Sequence, residues 1–130
     1  MQRIVLVIDD DPDIRAVAKT SLELVGGFRV VLADSGQRGV TLAHDNPPDA
    51  IILDLMMPDL DGRNTLAQLK GDSETATIPV IMLTAKVQAD KHELMGRGAA
   101  GVLVKPFDPM QLSAQVCEIL GWPTSEREHT

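Results

Sequence analysis

The stretch Ala50-Ile51-Ile52-Leu53-Asp54-Leu55-Met56-Met57-Pro58 constrains this chain more than any other. A short apolar run without a polar break fits a strand covered on both faces, as in a parallel sheet. Pro58 has no N–H for a sheet ladder and disfavours helix at Met57, so the strand ends before it. Asp54 therefore falls at the carboxyl end of a buried central strand. In open α/β sheets that edge is where ligands bind.

Three further runs repeat the pattern. Ile4-Val5-Leu6-Val7-Ile8 leads into Asp9-Asp10, Ile78 to Leu83 into Thr84-Ala85, and Ala99 to Val104 into Lys105-Pro106. Phe28 to Ala33 is the remaining strand. Between them lie helical stretches. Asp11-Pro12 starts the first, with Asp11 as N-cap and Pro12 at its first position. Its apolar stripe reads Ile14, Val17, Ala18, Leu22 and Val25, and Gly26-Gly27 ends it.

Ser35 caps the second helix, whose stripe is Val40, Leu42 and Ala43 and which Gly36 and Gly39 weaken. The third runs from about Arg63 to Lys70 after the polar loop Asp59-Leu60-Asp61-Gly62. The fourth, Val87 to Met95, is short and polar. Its anchors are Val87, Leu94 and Met95, so it is expected to be mobile. Asp108-Pro109-Met110-Gln111 reads as a capped start for the fifth, with Gln111 closing a capping box. Leu112, Val116, Ile119 and Leu120 form its apolar face, and Gly121-Trp122-Pro123 stops it. Five strand–helix units predict a parallel sheet covered on both faces.

Composition closes off other classes. The 130 residues suffice for one domain. Aromatics are 2% with no Tyr, so the core is aliphatic. A net charge of −7 argues against a nucleic-acid backbone or an anionic membrane as main partner. Cys117 has no second cysteine to pair with and reads as a small apolar helix residue, which fits a reducing cytoplasm. No apolar run approaches the ~20 residues of a membrane span, and the start lacks the flanks of a signal peptide. No Gly-x-Gly-x-x-Gly follows the first strand, so a dinucleotide has no pyrophosphate cradle.

In a parallel sheet the carboxyl ends share one edge, so Asp9, Asp10, Asp54, Thr84 and Lys105 can converge. Three carboxylates in one place repel, and a hard cation such as Mg²⁺ relieves that. Lys105 adds a compact positive charge, Thr84 a hydroxyl, and Ala85 a backbone N–H. This set fits phosphoryl transfer, in which cations and donors stabilise charge on the moving oxygens. Asp54 is the expected nucleophile, giving an aspartyl phosphate. His44, His92 and His129 are scattered and read as surface residues. Asp59-Leu60-Asp61-Gly62 superficially resembles the Asp-x-Asp-Gly of haloacid-dehalogenase-type phosphatases. Pro58 separates it from its strand, and Asp61-Gly62 reads as a helix start.

Val7-Ile8-Asp9-Asp10-Asp11-Pro12, the stretch from Leu53 to Gly62, Leu83-Thr84-Ala85 and Val104-Lys105-Pro106-Phe107 together resemble the receiver domain of two-component response regulators. The match runs over about residues 3 to 121. The resemblance implies a (βα)5 flavodoxin-like, doubly wound sheet in the order 2-1-3-4-5. On that basis residues 1–121 are a receiver and 122–130 a tail or the start of a linker. Asp54 then accepts a phosphoryl group from a histidine kinase or histidine phosphotransfer protein. Asp10 binds Mg²⁺ directly, Asp9 through water, and the Met56 backbone carbonyl completes the protein ligands. Lys105 pairs with the phosphoryl group, and its bond to Pro106 is cis. The Thr84 hydroxyl moves to meet that group.

The resemblance also implies a downstream protein partner or output domain, reached through the last two helices and the strand between them, and is compatible with a homodimer. Two features depart from or refine the family pattern. Val102 stands where the family often has an aromatic that swings inward, so output must run through backbone, loops or another side chain. Met56 and Lys86 occupy positions that tune hydrolysis, and bulky Met56 is expected to hinder water and lengthen the phosphorylated lifetime.

Catalysis extends to the chain's own phosphorylation and dephosphorylation, with no external substrate expected. Two other readings remain: a receiver fold used for docking or dimerisation without phosphorylation, and a Mg²⁺-dependent phosphohydrolase. Phosphoryl uptake from acetyl phosphate separates the first, and sustained turnover of a generic phosphate ester the second.

Overall fold

The computed structural model describes residues 2–58 and 61–123. Five strands, β1 (Ile4–Ile8), β2 (Arg29–Ala33), β3 (Ala50–Asp54), β4 (Val80–Thr84) and β5 (Gly101–Val104), alternate with α1 (Pro12–Leu24), α2 (Gly36–Asp45), α3 (Gly62–Gly71), α4 (Val87–Gly96) and α5 (Leu112–Leu120). The strands form one parallel sheet in the order β2-β1-β3-β4-β5. This is the flavodoxin-like arrangement the sequence motifs imply.

Strand side chains alternate between the two faces. Leu6, Ile8, Ile51, Leu53, Val80 and Met82 pack with Leu66, Leu69 and Leu94 beneath α2, α3 and α4. Val5, Val7, Ile52, Ile81 and Leu83 pack with Ala18, Leu22, Leu112 and Val116 beneath α1 and α5. Both faces are covered, so the strand sequences need no polar alternation. Trp122, just past α5, packs on Phe28 with ring centroids 5.7 Å apart, and the Arg3 guanidinium lies 4.5 Å from its ring.

Asp11, Ser35 and Asp61 cap α1, α2 and α3 through side-chain bonds to backbone N–H groups, as expected. Other helix readings need correction. In α1, Val17 and Val25 are exposed, and the buried ridge is Ala18, Ser21 and Leu22. Ser21 earns its place by donating a hydrogen bond to the Pro109 carbonyl. In α2 the glycines are contact residues: a Cβ on Gly39 would lie 2.3 Å from Ile8 Cδ1, so helix and strand approach more closely than a side chain permits.

In α4, Leu94 is fully buried, Val87 only partly, and Met95 is exposed. The fifth helix begins at Leu112, later than its sequence start signal. The Asp108 carboxylate is used within the preceding turn, accepting from Met110 N–H, and Gln111 closes no capping box. Asp59, Leu60 and the tail 124–130 lie outside the described residues.

Candidate functional site: an acidic cluster facing a lysine

The parallel sheet brings its carboxyl ends to one edge, and the expected groups meet there. Asp9 follows β1 directly, Asp54 and Thr84 are the last residues of β3 and β4, and Lys105 follows β5. Asp9, Asp54 and Thr84 are buried, Lys105 is half-buried, and Asp10 is exposed. One carboxylate oxygen from each of Asp9, Asp10 and Asp54 lies within 4.8 Å of the others.

Asp9 is already engaged at both oxygens: Oδ1 accepts from Asp11 N–H at 2.9 Å and Oδ2 from Lys105 Nζ at 3.0 Å. Arg15 Nη1 fixes the same loop by donating to the Asp9 carbonyl at 2.8 Å. Asp54 differs. Its Oδ1 accepts a long bond, 3.4 Å, from Met56 N–H. Its Oδ2 lies 3.0 Å from Lys105 Nζ as an ion pair, yet accepts no hydrogen bond and is shielded from solvent.

Burial raises the Asp54 pKa, the Lys105 ammonium works to lower it and Asp9 pushes it up again, with a net rise. Burial alone would lower the Lys105 pKa, but Asp9 and Asp54 outweigh it and raise it. A buried carboxylate with an unused lone pair, beside two more carboxylates, calls for added positive charge. An all-oxygen donor set that includes an exposed member suits Mg²⁺, which keeps several waters. The residues present fit that ion.

Gly62 lets α3 reach this edge. A Cβ there would meet the Asp54 carbonyl and Leu55 Cα, each at 2.6 Å. The Asp61 cap thus sits close against the loop after β3. Met56 is 75% exposed on that loop. With Arg63, Thr84, Ala85, Lys86 and Asp90 it borders a cleft of about 250 Å³. Ala85 and Lys86 are exposed, while Val102 is buried among core residues on the α4 side of β5.

Sequence reasoning missed what holds Thr84. Its hydroxyl donates to Asp90 Oδ2 at 2.7 Å and accepts from Lys86 N–H at 3.1 Å. Arg63 Nη2 lies 3.7 Å from Asp90 Oδ1 and bonds Glu93 at 2.8 Å, with Arg63 Nε adding bonds of 3.0 and 3.1 Å. Arg97 Nε also donates to Glu93 at 2.8 Å. Between them the two arginines hold the Glu93 pKa down to about 2. The signals were faint: an acid in the first turn of an uncapped helix, and two opposite charges 30 residues apart.

The response regulator receiver domain model matches residues 5–117. The chain belongs to this family. Among curated relatives, the receiver is 43% identical over 117 residues to the DNA-binding dual master transcriptional regulator RpaA of Synechocystis, covering 89% of this chain and 48% of that protein. It spans about half the length of the curated relatives it matches. Among solved structures, the chemotaxis response regulator CheY4 of Vibrio cholerae superposes with a TM-score of 0.85 at 30% identity, covering 92% of this chain and 99% of that one. The receiver domain of the Pseudomonas aeruginosa sensor histidine kinase PA1611, with a magnesium ion coordinated in its active site cleft, matches with a TM-score of 0.81 at 28% identity, covering 93% and 99%. No helix among the described residues is long and apolar enough to cross a membrane.

Proposed function

We propose that the receiver is a phosphorylation-dependent switch whose phosphoacceptor is Asp54. One observation carries this reading: the Asp54 Oδ2 is shielded from solvent and lies 3.0 Å from the Lys105 ammonium, with two further carboxylates beside it. Such an oxygen is desolvated, close to a cation and free to attack phosphorus. The phosphodonor is a histidine kinase or histidine phosphotransfer protein. Asp54 forms the new P–O bond as the P–N bond to the donor histidine breaks.

Asp10, Asp54 and the Met56 carbonyl would hold Mg²⁺, with Asp9 contributing through water because both of its oxygens are engaged. The bound ion supplies positive charge against the phosphoryl oxygens. Lys105, held by Asp9, is positioned to pair with the transferred group. Thr84 donates its hydroxyl to a phosphoryl oxygen, and Ala85 N–H is a second donor at the same strand end. Met56, standing at the cleft, slows the approach of hydrolytic water, so Met56→Asn shortens the phosphorylated lifetime. Output passes to a downstream partner or output domain through α4, β5 and α5, where Met95 and Val104 are exposed.

Intact mass after incubation with acetyl phosphate and Mg²⁺ tests the reading. Wild type is expected to gain one phosphoryl group and Asp54→Asn none. Absence of gain in wild type would overturn it in favour of a receiver fold used for docking alone, and equal gain in Asp54→Asn would overturn Asp54 as the phosphoacceptor.

A further inference from the structure

We propose that Asp90 is a positioning residue that holds the Thr84 hydroxyl away from the phosphoacceptor and ties down α4 until phosphorylation releases both. The proposal rests on the reading of Asp54 and Thr84 above. A threonine hydroxyl has one proton to donate. Here that proton goes to a carboxylate at 2.7 Å, a charge-assisted bond between a buried and a half-buried residue. Thr84 cannot keep that bond and also donate to a phosphoryl oxygen. Capture of the hydroxyl by one group therefore frees the other.

The same hydroxyl also fastens α4. It accepts from the N–H of Lys86, the residue at the cap position, and donates to Asp90 in the first turn. No side chain caps this helix end. Farther along, Leu94 is the helix's one fully buried side chain, and the remaining ties are the Arg63 bonds to Glu93. Once released, Asp90 has a cation at hand: Arg63 Nη2, already 3.7 Å from its other oxygen. Arg63 belongs to α3 and is shared with Glu93, so α4 would exchange a bond to β4 for a stronger tie to α3. Thr84 and Asp90 border the same cleft as Met56, which leaves space for the rearrangement.

The probe is beryllofluoride with Mg²⁺, a phosphoryl mimic, titrated into wild type, Asp90→Ala, Thr84→Val and the double variant. Asp90→Ala is expected to bind roughly tenfold more tightly than wild type, the scale of one hydrogen bond to a charged group. Amide exchange across residues 87–96 should rise before any ligand is added. The double variant is expected to bind more weakly than Asp90→Ala, because the freed hydroxyl is gone, and Asp90→Ala should change nothing in the Thr84→Val background. Asp90→Asn keeps the shape and a weaker acceptor, and serves if the alanine variant fails to fold; its tightening should be smaller and in the same direction.

Wild-type affinity in Asp90→Ala, or a gain that persists without the Thr84 hydroxyl, overturns the proposal. Equal affinity of the double variant and Asp90→Ala, or failure of wild type to bind, overturns instead the underlying reading of Thr84 or of the site, and the proposal with it.

Discussion

Helices α1 and α4 cover opposite faces of one sheet and are secured in opposite ways. The N-terminus of α1 is closed by Asp11 and Pro12, its buried ridge includes Ala18 and Leu22, and Ser21 ties it to the loop before α5. Its Arg15 also steadies the loop that presents Asp9 and Asp10. By contrast, α4 has no side-chain cap, one fully buried side chain, and charged contacts to α3 and β4. Apolar burial is diffuse and hard to rearrange, whereas ion pairs at a partly exposed edge can change partners at small cost. The α1 side therefore holds the acidic cluster firmly, and the α4 side is the more easily rearranged, as the proposed switch requires.

The largest test of this contrast removes one buried leucine from each helix. Leu22→Ala should cost ~2–5 kcal/mol of global stability in urea denaturation. Leu94→Ala should cost less, because a lightly held helix can settle into the space it leaves. Equal losses would break the contrast. The next test concerns the caps. Asp11→Ala should cost about 1 kcal/mol, while Lys86→Ala, at a position that supplies no cap, should stay within about 0.5 kcal/mol of wild type. A comparable loss at both helices would show that α4 is held more firmly than its contacts indicate.

The smallest effect is pH-dependent and local. The folded-state pKa of Glu93 is depressed from 4.5 to about 2, so its contribution is fully present above 4.5 and disappears as pH falls toward and through 2. Amide exchange in α4 should therefore rise over that window before exchange in α1 does. In Glu93→Gln the difference between the two helices should already exist at neutral pH and change little on acidification. An unchanged α4 in that variant would remove the arginine–glutamate contacts from the account.

Much of the site was legible because its parts are local. A strand covered on both faces must be nearly all apolar, so the first polar residue after each run marks its end, as at Asp9, Asp54, Thr84 and Lys105. Caps are equally local: Asp11 and Asp61 act within three residues of themselves. Helix faces were harder to read. Val17 and Val25 matched a helical stripe but point outward, while Ser21 and Gly39 are buried by a carbonyl on another element and by a neighbouring strand. Hydropathy does not register either contact.

Taken alone, the sequence determined that five apolar strands alternate with helices and that polar groups end four of them, because burial and capping act over a few residues. Only the tertiary structure decided which charges meet. The Thr84 hydroxyl found Asp90, Arg63 found Glu93, and Asp54 kept one oxygen without a hydrogen bond. Those outcomes depend on how elements distant in the chain pack, since a hydrogen bond or ion pair needs its partner within about 3–4 Å, a distance that residue order does not encode.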